Sequence, residues 1–209
     1  MTCVACGGQA AQPLYEVRGF SILRCACGLA RTALPAGFDP ASIYGAAYFQ
    51  GGVHDGYADY AGSAGDLRRE FRGVVDELAR RTGPGARLIE IGSAYGFFLD
   101  VARERFTALG VEISDVARAA AIARGHEVAR ELTADLVARR GPFHAAVMLD
   151  VIEHMQDPGQ ALATLAAGMR PGARLVLTTG DFGSAIARAM GKRWRLMTPP
   201  QHLWFFSPT

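Results

Sequence analysis

A turn built from small residues follows an apolar strand near the middle of the chain. Gly92, Ala94 and Gly96 come directly after Arg87–Ile91, and Phe97 begins the next apolar segment. Small residues let the backbone approach a ligand closely, and a helix that begins behind such a turn presents N–H groups to it. A dinucleotide fingerprint places its third glycine five residues after the first, where this chain has Phe97. The turn therefore predicts a ligand site and disfavours a nicotinamide dinucleotide.

The cysteines form two closely spaced pairs near the N-terminus, Cys3-x-x-Cys6 and Cys25-x-Cys27. A disulfide framework is typical of secreted chains with little core, whereas 50% of this chain is hydrophobic. Four thiolates match the tetrahedral coordination of structural Zn²⁺, although the second pair is one residue shorter than the usual spacing. We predict a closed structural zinc site. Four reduced thiols, or a redox pair, are the alternatives.

From residue 66 onward, segments with helical periodicity alternate with short apolar strands. This alternation predicts the α/β class, with a doubly wound, mostly parallel sheet. Before it lie a cysteine-rich lobe over residues 1–37 and a Gly- and Tyr-rich lid segment over residues 38–65. Helices are predicted over residues 67–81, 97–105, 115–124 and 158–169, and strands over residues 87–91, 108–113, 127–130, 143–149 and 174–179.

Four motifs occur in order along the sheet region. They are Glu90-x-Gly92-x-Ala94-x-Gly96, Gly110-Val111-Glu112-Ile113, the segment 148–154 with Asp157-Pro158 after it, and the segment 172–179. Together they resemble class I S-adenosylmethionine-dependent methyltransferases, with alanine at the middle glycine of the first motif. The resemblance covers residues 85–206 and implies that the domain 66–209 binds S-adenosylmethionine. The cysteine-rich lobe is similar to N-terminal lobes of certain bacterial methyltransferases, including sugar C-methyltransferases.

The resemblance also implies where the cofactor would bind. Glu90 would orient the turn or the amino group of the cofactor, and the turn backbone would hold the methionine carboxylate. Glu112 would bind the ribose hydroxyls, because a carboxylate can accept with both oxygens. Leu132, beside Glu131, would border the adenine, and Asp150 would flank the methionine portion. The predicted cofactor-binding residues are Glu90, Gly92, Ala94, Gly96, Glu112, Leu132 and Asp150.

Histidine is the natural proton acceptor for methylation at oxygen or at an acidic carbon. His154 follows the motif of the fourth sheet strand, so the resemblance places it near the transferred methyl group. His202 lies in the segment 199–208, which resembles the segment that overhangs the acceptor pocket. We predict His202 and His154 as catalytic candidates and His54 as a third, with a structural histidine bonded to backbone as the alternative. Tyr44, Tyr48 and Tyr57 are either a lid over the cofactor or acceptor, or residues of core or surface packing.

Charge and hydropathy narrow the expected partners. Lys+Arg 22 against Asp+Glu 20 gives a net charge of +2, which provides no electrostatic footprint for nucleic acid or an anionic membrane. No apolar run approaches the roughly 20 residues of a membrane span, and the N-terminus does not resemble a secretory signal. We therefore expect a cytoplasmic protein with a small-molecule acceptor. The basic segment Lys192-Arg193-Trp194-Arg195 could bind the phosphate of a nucleotide-linked sugar or a lipid-linked precursor, with a solvated loop as the alternative.

The family sheet carries two further strands after the segment around Phe205, whereas this chain stops at Thr209. We therefore expect either a truncated chain that lacks the C-terminal strands or a sheet with an unusual exposed edge, which would favour pairing into a homo-oligomer. Three other functions remain open at this point. They are a nicotinamide-dependent oxidoreductase, a zinc-ribbon interaction module with a non-catalytic, cofactor-binding sheet, and an RNA-modifying methyltransferase, for which the near-neutral charge is unfavourable.

Overall fold

The computed structural model describes residues 2–52 and 56–208, and the chain forms two compact units. The first, which we call the cysteine unit, comprises residues 1–40, 150–160 and 178–209. The second, the sheet unit, comprises residues 41–149 and 161–177. This division differs from the predicted domains 1–37, 38–65 and 66–209, because the Gly- and Tyr-rich segment belongs to the sheet unit and the C-terminal residues belong with the cysteines.

The elements are numbered in chain order. The strands are β1 (Ala11–Val17), β2 (Phe20–Cys25), β3 (Ala30–Thr32), β4 (Arg87–Ile91), β5 (Thr107–Val111), β6 (Val128–Ala129), β7 (Phe143–Leu149), β8 (Met169–Thr178) and β9 (Trp204–Phe205). The α-helices are α1 (Ala46–Phe49), α2 (Ala64–Thr82), α3 (Phe97–Ala102), α4 (Asp115–Ala123), α5 (Ala134–Arg140), α6 (Pro158–Ala167) and α7 (Ala185–Met190). Short 3-10 turns cover Pro40–Ile43, Ile152–His154 and Gly191–Arg193.

The sheet unit is built on a five-stranded sheet in the order β6-β5-β4-β7-β8. β4 pairs in parallel with β5 and β7, and β5 pairs in parallel with β6. All of β4 after Arg87 is buried, as expected for a central parallel strand that is covered on both faces. The predicted α/β class with a mostly parallel sheet is therefore confirmed. One core of this unit is formed by Val75, Leu78, Leu88, Phe98, Val101 and Val147.

The longest helix, α2, follows the apolar spacing predicted for it. Val75 and Leu78 are buried, and the half-buried Phe71 and Val74 pack against the same core. Gly83 ends the helix with φ 81°, a conformation that favours glycine. Within the part of the chain that the structure describes, no helix is long and apolar enough to cross a membrane.

Two elements of the sheet unit depart from the prediction. Helix α5 is absent from the prediction, because it buries only Val137 and its sequence has no apolar repeat. Strand β8 begins at Met169 instead of residue 174, because α6 ends at Ala167 and Gly168 turns the chain. β8 lies at the edge of the sheet, where Pro171 is tolerated because an edge strand has an unpaired side. Pairing of this edge with a second copy stays a prediction.

The cysteine unit contains a four-stranded antiparallel sheet in the order β1-β2-β3-β9. The last strand of the chain therefore joins the N-terminal hairpin, with Ala30 opposite Phe205 and Arg31 opposite Trp204. The hydroxyl of Thr32 also donates to the carbonyl oxygen of His202 at 2.7 Å. This pairing explains why the C-terminal residues separate from the predicted domain 66–209. The core of the unit includes Ile22, Ala30, Phe182, Trp194, Met197 and Phe205.

Candidate functional site

The turn after β4 has the backbone conformation that its small residues predict. Gly92, Ala94 and Gly96 all have positive φ, at 76°, 44° and 81°. The N–H of Gly96 donates to the carbonyl of Ser93 at 2.8 Å, and Phe97 begins α3. Left-handed backbone costs a residue with a Cβ about 1 kcal/mol or more, so Ala94 holds its conformation under strain. Strain of this kind is commonly concentrated at ligand sites.

Glu112, at the end of β5, ties the turn to the neighbouring strand. Oε2 accepts a hydrogen bond from the N–H of Ala94 at 2.8 Å, and Oε1 accepts one from the N–H of Ser114 at 2.7 Å. Burial raises the pKa of this carboxyl, although these two bonds and one from the N–H of Ile113 oppose the shift. A carboxylate can accept about four hydrogen bonds, so Glu112 keeps capacity for a ligand hydroxyl.

Glu90 lies in β4 and its carboxyl is buried. Glu90 is 5% exposed, and its Oε2 has no hydrogen-bond partner among the described residues. Burial, followed by the charge of Glu112, raises the pKa of Glu90 well above its usual range. The hydroxyl of Ser93 is also buried without a described partner. A cationic ligand at the turn would supply the partner that this carboxyl lacks.

Aromatic side chains from the Gly- and Tyr-rich segment pack against this turn. Tyr60 stacks on Phe97 at a ring distance of 5.3 Å and lies at the same distance from Tyr95. Burial raises the pKa of Tyr60, and Tyr57, Glu90 and Glu112 raise it further. Tyr60 is thus a neighbour of the site that the motifs do not indicate, and its ring packs on Phe97, the residue directly after the turn. Among the predicted lid residues, the ring centres of Tyr44 and Tyr48 are 5.1 Å apart and those of Tyr48 and Tyr57 are 5.7 Å apart. The candidate base His54 lies outside the described residues.

The remaining predicted cofactor residues occupy different settings. Leu132 is half-buried in the turn between β6 and α5, in the sheet unit. Asp150 belongs to the cysteine unit and has φ 53°. Its N–H donates to the carbonyl of Thr178 at 3.1 Å, and the Thr178 hydroxyl donates to Asp150 Oδ1 at 3.1 Å. The roles of Leu132 and Asp150 stay predictions.

Replacing Gly96 by alanine should destabilise the sheet unit more than a change in φ preference alone. An added Cβ would meet Cδ2 of His126 at 2.7 Å and the Cβ of Ala121 at 3.1 Å. Gly85 is a matched control, since it has φ 70° and nothing within 4 Å of the added atom. We expect Gly85→Ala to lower the free energy of unfolding by about 1 kcal/mol and Gly96→Ala by about 3 kcal/mol, measured by urea denaturation. Equal losses would show that the packing at Gly96 is not tight.

Asp100 in α3 accepts hydrogen bonds from three side chains beside the turn, and Arg103 is a further ion-pair partner at 3.7 Å. Its side chain is 8% exposed and accepts from Nε of Arg68 at 2.8 Å, from Arg124, and from Nε2 of His126 at 2.8 Å. Burial would raise the pKa of Asp100, but the bonds from Arg124, Arg68 and His126 outweigh it and lower the pKa. The guanidinium groups of Arg68 and Arg124 also lie over the Phe97 ring at 4.9 and 5.1 Å.

We expect Asp100→Asn to lower the free energy of unfolding by about 2 kcal/mol, because three donors lose a charged acceptor and two of them are partly solvated. Because the folded pKa of Asp100 is depressed, its stabilisation is present above the unfolded pKa, 3.8, and is lost as pH falls through the lower folded value. The variant should therefore lose less stability than wild type in acid, as measured by urea denaturation across pH. Asp66→Asn, on an exposed pair, serves as control; equal losses in the two variants would remove the special role of Asp100.

The four cysteines converge in the cysteine unit. Sγ of Cys3 lies 3.6 Å from Sγ of Cys27, and Sγ of Cys6 lies 3.6 Å from Sγ of Cys25. All four sulfur atoms lie within 4.8 Å of one another. Burial would raise the pKa of Cys3, but N–H groups of Cys6 and Ala5 and the neighbouring thiols bring it to about 7. A tetrahedral Zn²⁺ with bonds of about 2.3 Å places its sulfur ligands about 3.8 Å apart, so the geometry fits this ion.

The two predicted catalytic histidines also come together in the cysteine unit. The rings of His154 and His202 are 4.7 Å apart and nearly perpendicular, and Glu153 completes a cluster whose candidate ligand atoms lie within 4.8 Å. Burial lowers the pKa of His154; burial and then His154 lower the pKa of His202 to about 3. Burial raises the pKa of Glu153 to about 7. Near neutral pH both imidazoles are therefore uncharged.

Sequence comparison identifies the class of protein. A family model described as a methyltransferase domain matches residues 63–209, so the chain belongs to that family. This confirms the resemblance to class I S-adenosylmethionine-dependent methyltransferases that the four motifs carry. It also favours that family over the nicotinamide alternative.

Individual relatives are similar over part of the chain. A ubiquinone biosynthesis O-methyltransferase of Caulobacter sp. strain K31 is 34% identical over 112 residues, which cover 50% of this chain and 44% of that protein. Another, from Caulobacter vibrioides, is 31% identical over 141 residues, which cover 62% of this chain and 56% of that protein. The chain thus spans about half the length of the curated relatives it matches. Among solved structures, S-adenosylmethionine-bound CalS10, an amino pentose methyltransferase from Micromonospora echinaspora, is 24% identical with a TM-score of 0.49, covering 71% of this chain and 59% of that one.

Proposed function

We propose that this chain binds S-adenosylmethionine in the sheet unit and transfers its methyl group to a small molecule, at oxygen or carbon. The observation that carries the proposal is the pair of buried acids at the turn after β4. Glu90 lacks a described partner, and Glu112 holds the strained backbone of Ala94. Oxygen is favoured as the methylated atom, because both curated relatives are named O-methyltransferases.

The residues of the sheet unit suit the parts of this cofactor. The Glu90 carboxylate would pair with the cationic end, and Glu112 would accept from the ribose hydroxyls. The N–H groups of Ala94 and Gly96 already donate to Glu112 and Ser93, so the contribution of the positive-φ turn would be close approach of its backbone to the methionine end of the cofactor. Leu132 would border the adenine. The cofactor supplies the activated methyl group; the chain's task is to align the acceptor with it and to accept a proton where one is lost.

Calorimetric titration with S-adenosylmethionine and with NAD tests the cofactor assignment. We expect binding of the first only. Glu112→Gln should weaken that binding at least tenfold, because the amide places a donor against the N–H of Ala94 or Ser114. Glu104→Gln, an exposed acid paired with Arg72, serves as the matched control and should bind like wild type. Binding of NAD alone, or equal affinity of the two Gln variants, would reject the assignment.

His202 and His154 remain the candidate proton acceptors of the reaction. Their lowered pKa values keep both rings uncharged, as a base requires, but a pKa of about 3 makes His202 weakly basic. Single alanine variants should reduce turnover with labelled cofactor by 10²-fold or more at the residue that accepts the proton, an order of magnitude typical of a lost general base. Undiminished turnover in both would show that neither ring is the base.

The acceptor proposal extends to phosphorylated compounds. Lys192, Arg193 and Arg195 are exposed around the buried Trp194, so their charged groups can reach a phosphate in solvent. Mass spectrometry after incubation with labelled cofactor would compare sugar nucleotides with phenolic metabolites. If the basic residues bind the acceptor, Arg193→Ala should raise the KM for a phosphorylated acceptor and leave that for an unphosphorylated one unchanged.

We also propose that Cys3, Cys6, Cys25 and Cys27 bind a structural zinc ion. The fit of the four sulfur positions to a tetrahedral ion supports this, as do the amide donors directed at Cys3. Four protein ligands leave a zinc ion no open position, so the role is stability and not catalysis.

A further inference from the structure

A second group of metal-ligating side chains lies in the cysteine unit, apart from the cysteines. Glu153 and His154 come from the 3-10 turn Ile152–His154, and His202 precedes β9. One carboxylate and two imidazoles meet there with candidate ligand atoms within 4.8 Å of one another. Residues that are 48 positions apart in the chain, at 154 and 202, are thus brought to one point by the fold.

Backbone carbonyls orient both imidazoles. Nδ1 of His154 lies 2.8 Å from the carbonyl oxygen of Gln201, and the backbone of Asp150 is also bonded to this ring. A ring nitrogen of His202 donates to the carbonyl of Leu196. Histidines that bind metals almost always donate their other N–H in this way, because the bond fixes the tautomer and the ring orientation.

The carboxylate of Glu153 supplies the independent observation. The residue is 3% exposed, and Oε2 has no hydrogen-bond partner among the described residues. Backbone bonds hold the turn in place, since the N–H of Leu203 donates to the carbonyl of Glu153 at 2.7 Å. Gln201 adds a second buried oxygen, Oε1, without a described partner. A buried acceptor left without a partner is costly, and a cation at this point would satisfy Oε2 of Glu153.

We propose that Glu153, His154 and His202 bind a divalent transition-metal ion at a site separate from the cysteine zinc site. Two imidazoles and one carboxylate favour ions such as Zn²⁺, Fe²⁺ or Mn²⁺, whereas Mg²⁺ prefers oxygen ligands alone. Three protein ligands leave at least one coordination position for a hydroxyl or water. A ring that donates its N–H to a carbonyl and gives its lone pair to a metal cannot accept a proton, so an occupied site would exclude His154 and His202 as bases. The test of the site does not use activity.

Zinc titration of metal-free, reduced protein tests the proposal. We expect two bound equivalents, one lost in Cys6→Ser and the other weakened at least tenfold in Glu153→Gln, which keeps the side-chain shape. His202→Gln should act like Glu153→Gln, and His144→Gln, a histidine of the sheet unit, should bind like wild type. Mg²⁺ should not compete with the second equivalent. Circular dichroism and the Tm of each variant establish that it is folded.

Imidazole ¹⁵N resonances give a readout that needs no substitution. Addition of Zn²⁺ to the wild-type protein should shift the ring nitrogens of His154 and His202 and leave those of His144 unchanged. A single equivalent that is lost in Cys6→Ser, with unshifted His154 and His202 resonances, would overturn the proposal. A single equivalent lost in Glu153→Gln and retained in Cys6→Ser would support it and reject the cysteine site instead.

Discussion

Chelation of the proposed cysteine zinc should unfold the cysteine unit and remove at least about 3 kcal/mol of stability, since structural zinc binding contributes directly to folding. Residues 4–6, which follow Cys3 in the cysteine unit, are exposed and bury little apolar surface. Without an ion, four sulfur atoms within 4.8 Å would have to remain protonated or move apart. Calorimetry before and after chelation should show an additional transition at lower temperature, with zinc content followed by mass spectrometry.

Single substitutions separate the metal from general effects of the chelator. Cys6→Ser should reproduce the low-temperature transition and lose one equivalent of zinc. Gln9→Ser is the matched control, because Gln9 is exposed in the same segment and offers no thiolate. A reduced protein that contains no zinc, and whose Tm chelation leaves unchanged, would reject the zinc site.

Glu90→Gln is expected to weaken S-adenosylmethionine binding about a hundredfold, equivalent to about 2.7 kcal/mol, because the amide cannot balance the positive charge of the ligand. S-adenosylhomocysteine, which has no sulfonium charge, shows whether Glu90 pairs with the amino group or with the sulfonium. If Glu90 pairs with the amino group, both ligands should lose affinity; if it pairs with the sulfonium, only S-adenosylmethionine should. Unchanged affinity for both would show that Glu90 does not face the cofactor. Glu104→Gln is again the control.

The same substitution should change how stability depends on pH in the ligand-free protein. The folded pKa of Glu90 is raised well above 4.5, so its stabilising contribution is complete below that value and is lost as pH rises toward the folded pKa. Wild type should therefore lose stability over this window, and Glu90→Gln should not show that loss. At neutral pH the variant should be more stable than wild type while binding the cofactor less well. Urea denaturation across pH measures the first effect; loss of stability in the variant at neutral pH would contradict the argument.

The affinity for the cofactor should depend on whether the carboxyl of Glu90 is ionised. Binding of a cation requires the ionised form of Glu90, so a proton leaves on binding wherever the free protein holds it. The affinity of wild type should rise with pH until the pKa of Glu90 in the free protein is passed. Calorimetry in buffers of different ionisation enthalpy measures the released proton. Glu90→Gln should release none.

The sheet unit could largely be predicted from the sequence, because its signals are local. β4 and β7 have the predicted bounds, since each is a short apolar run that forms a central strand. The positive-φ turn follows from the spacing of Gly92, Ala94 and Gly96. Helix α5 escapes prediction because a helix with one buried residue leaves almost no periodic signal.

Features that depend on distant partners could not be predicted in the same way. Nothing in the spacing of Trp204 and Phe205 indicates that they pair with Ala30 and Arg31. Separate segments of the sequence indicate His154 and His202, but the contact between their rings requires the tertiary structure. Phe97 was interpretable as an obstacle to a dinucleotide, whereas its stacking on Tyr60 and beneath Arg68 and Arg124 requires the tertiary structure.

The pairing of β9 with β3 has a consequence for how the chain folds. The sheet unit lies between the segments of the cysteine unit in the sequence, so its residues leave the ribosome before the C-terminal strand is made. The bond from Thr32 to His202 closes a loop of 170 residues, and loop closure of that length slows the step that forms it. Until β9 is synthesised, the sheet of the cysteine unit lacks its fourth strand, and the β3 edge is open to pairing with another strand. Metal bound early by the thiols would protect that hairpin until β9 is made.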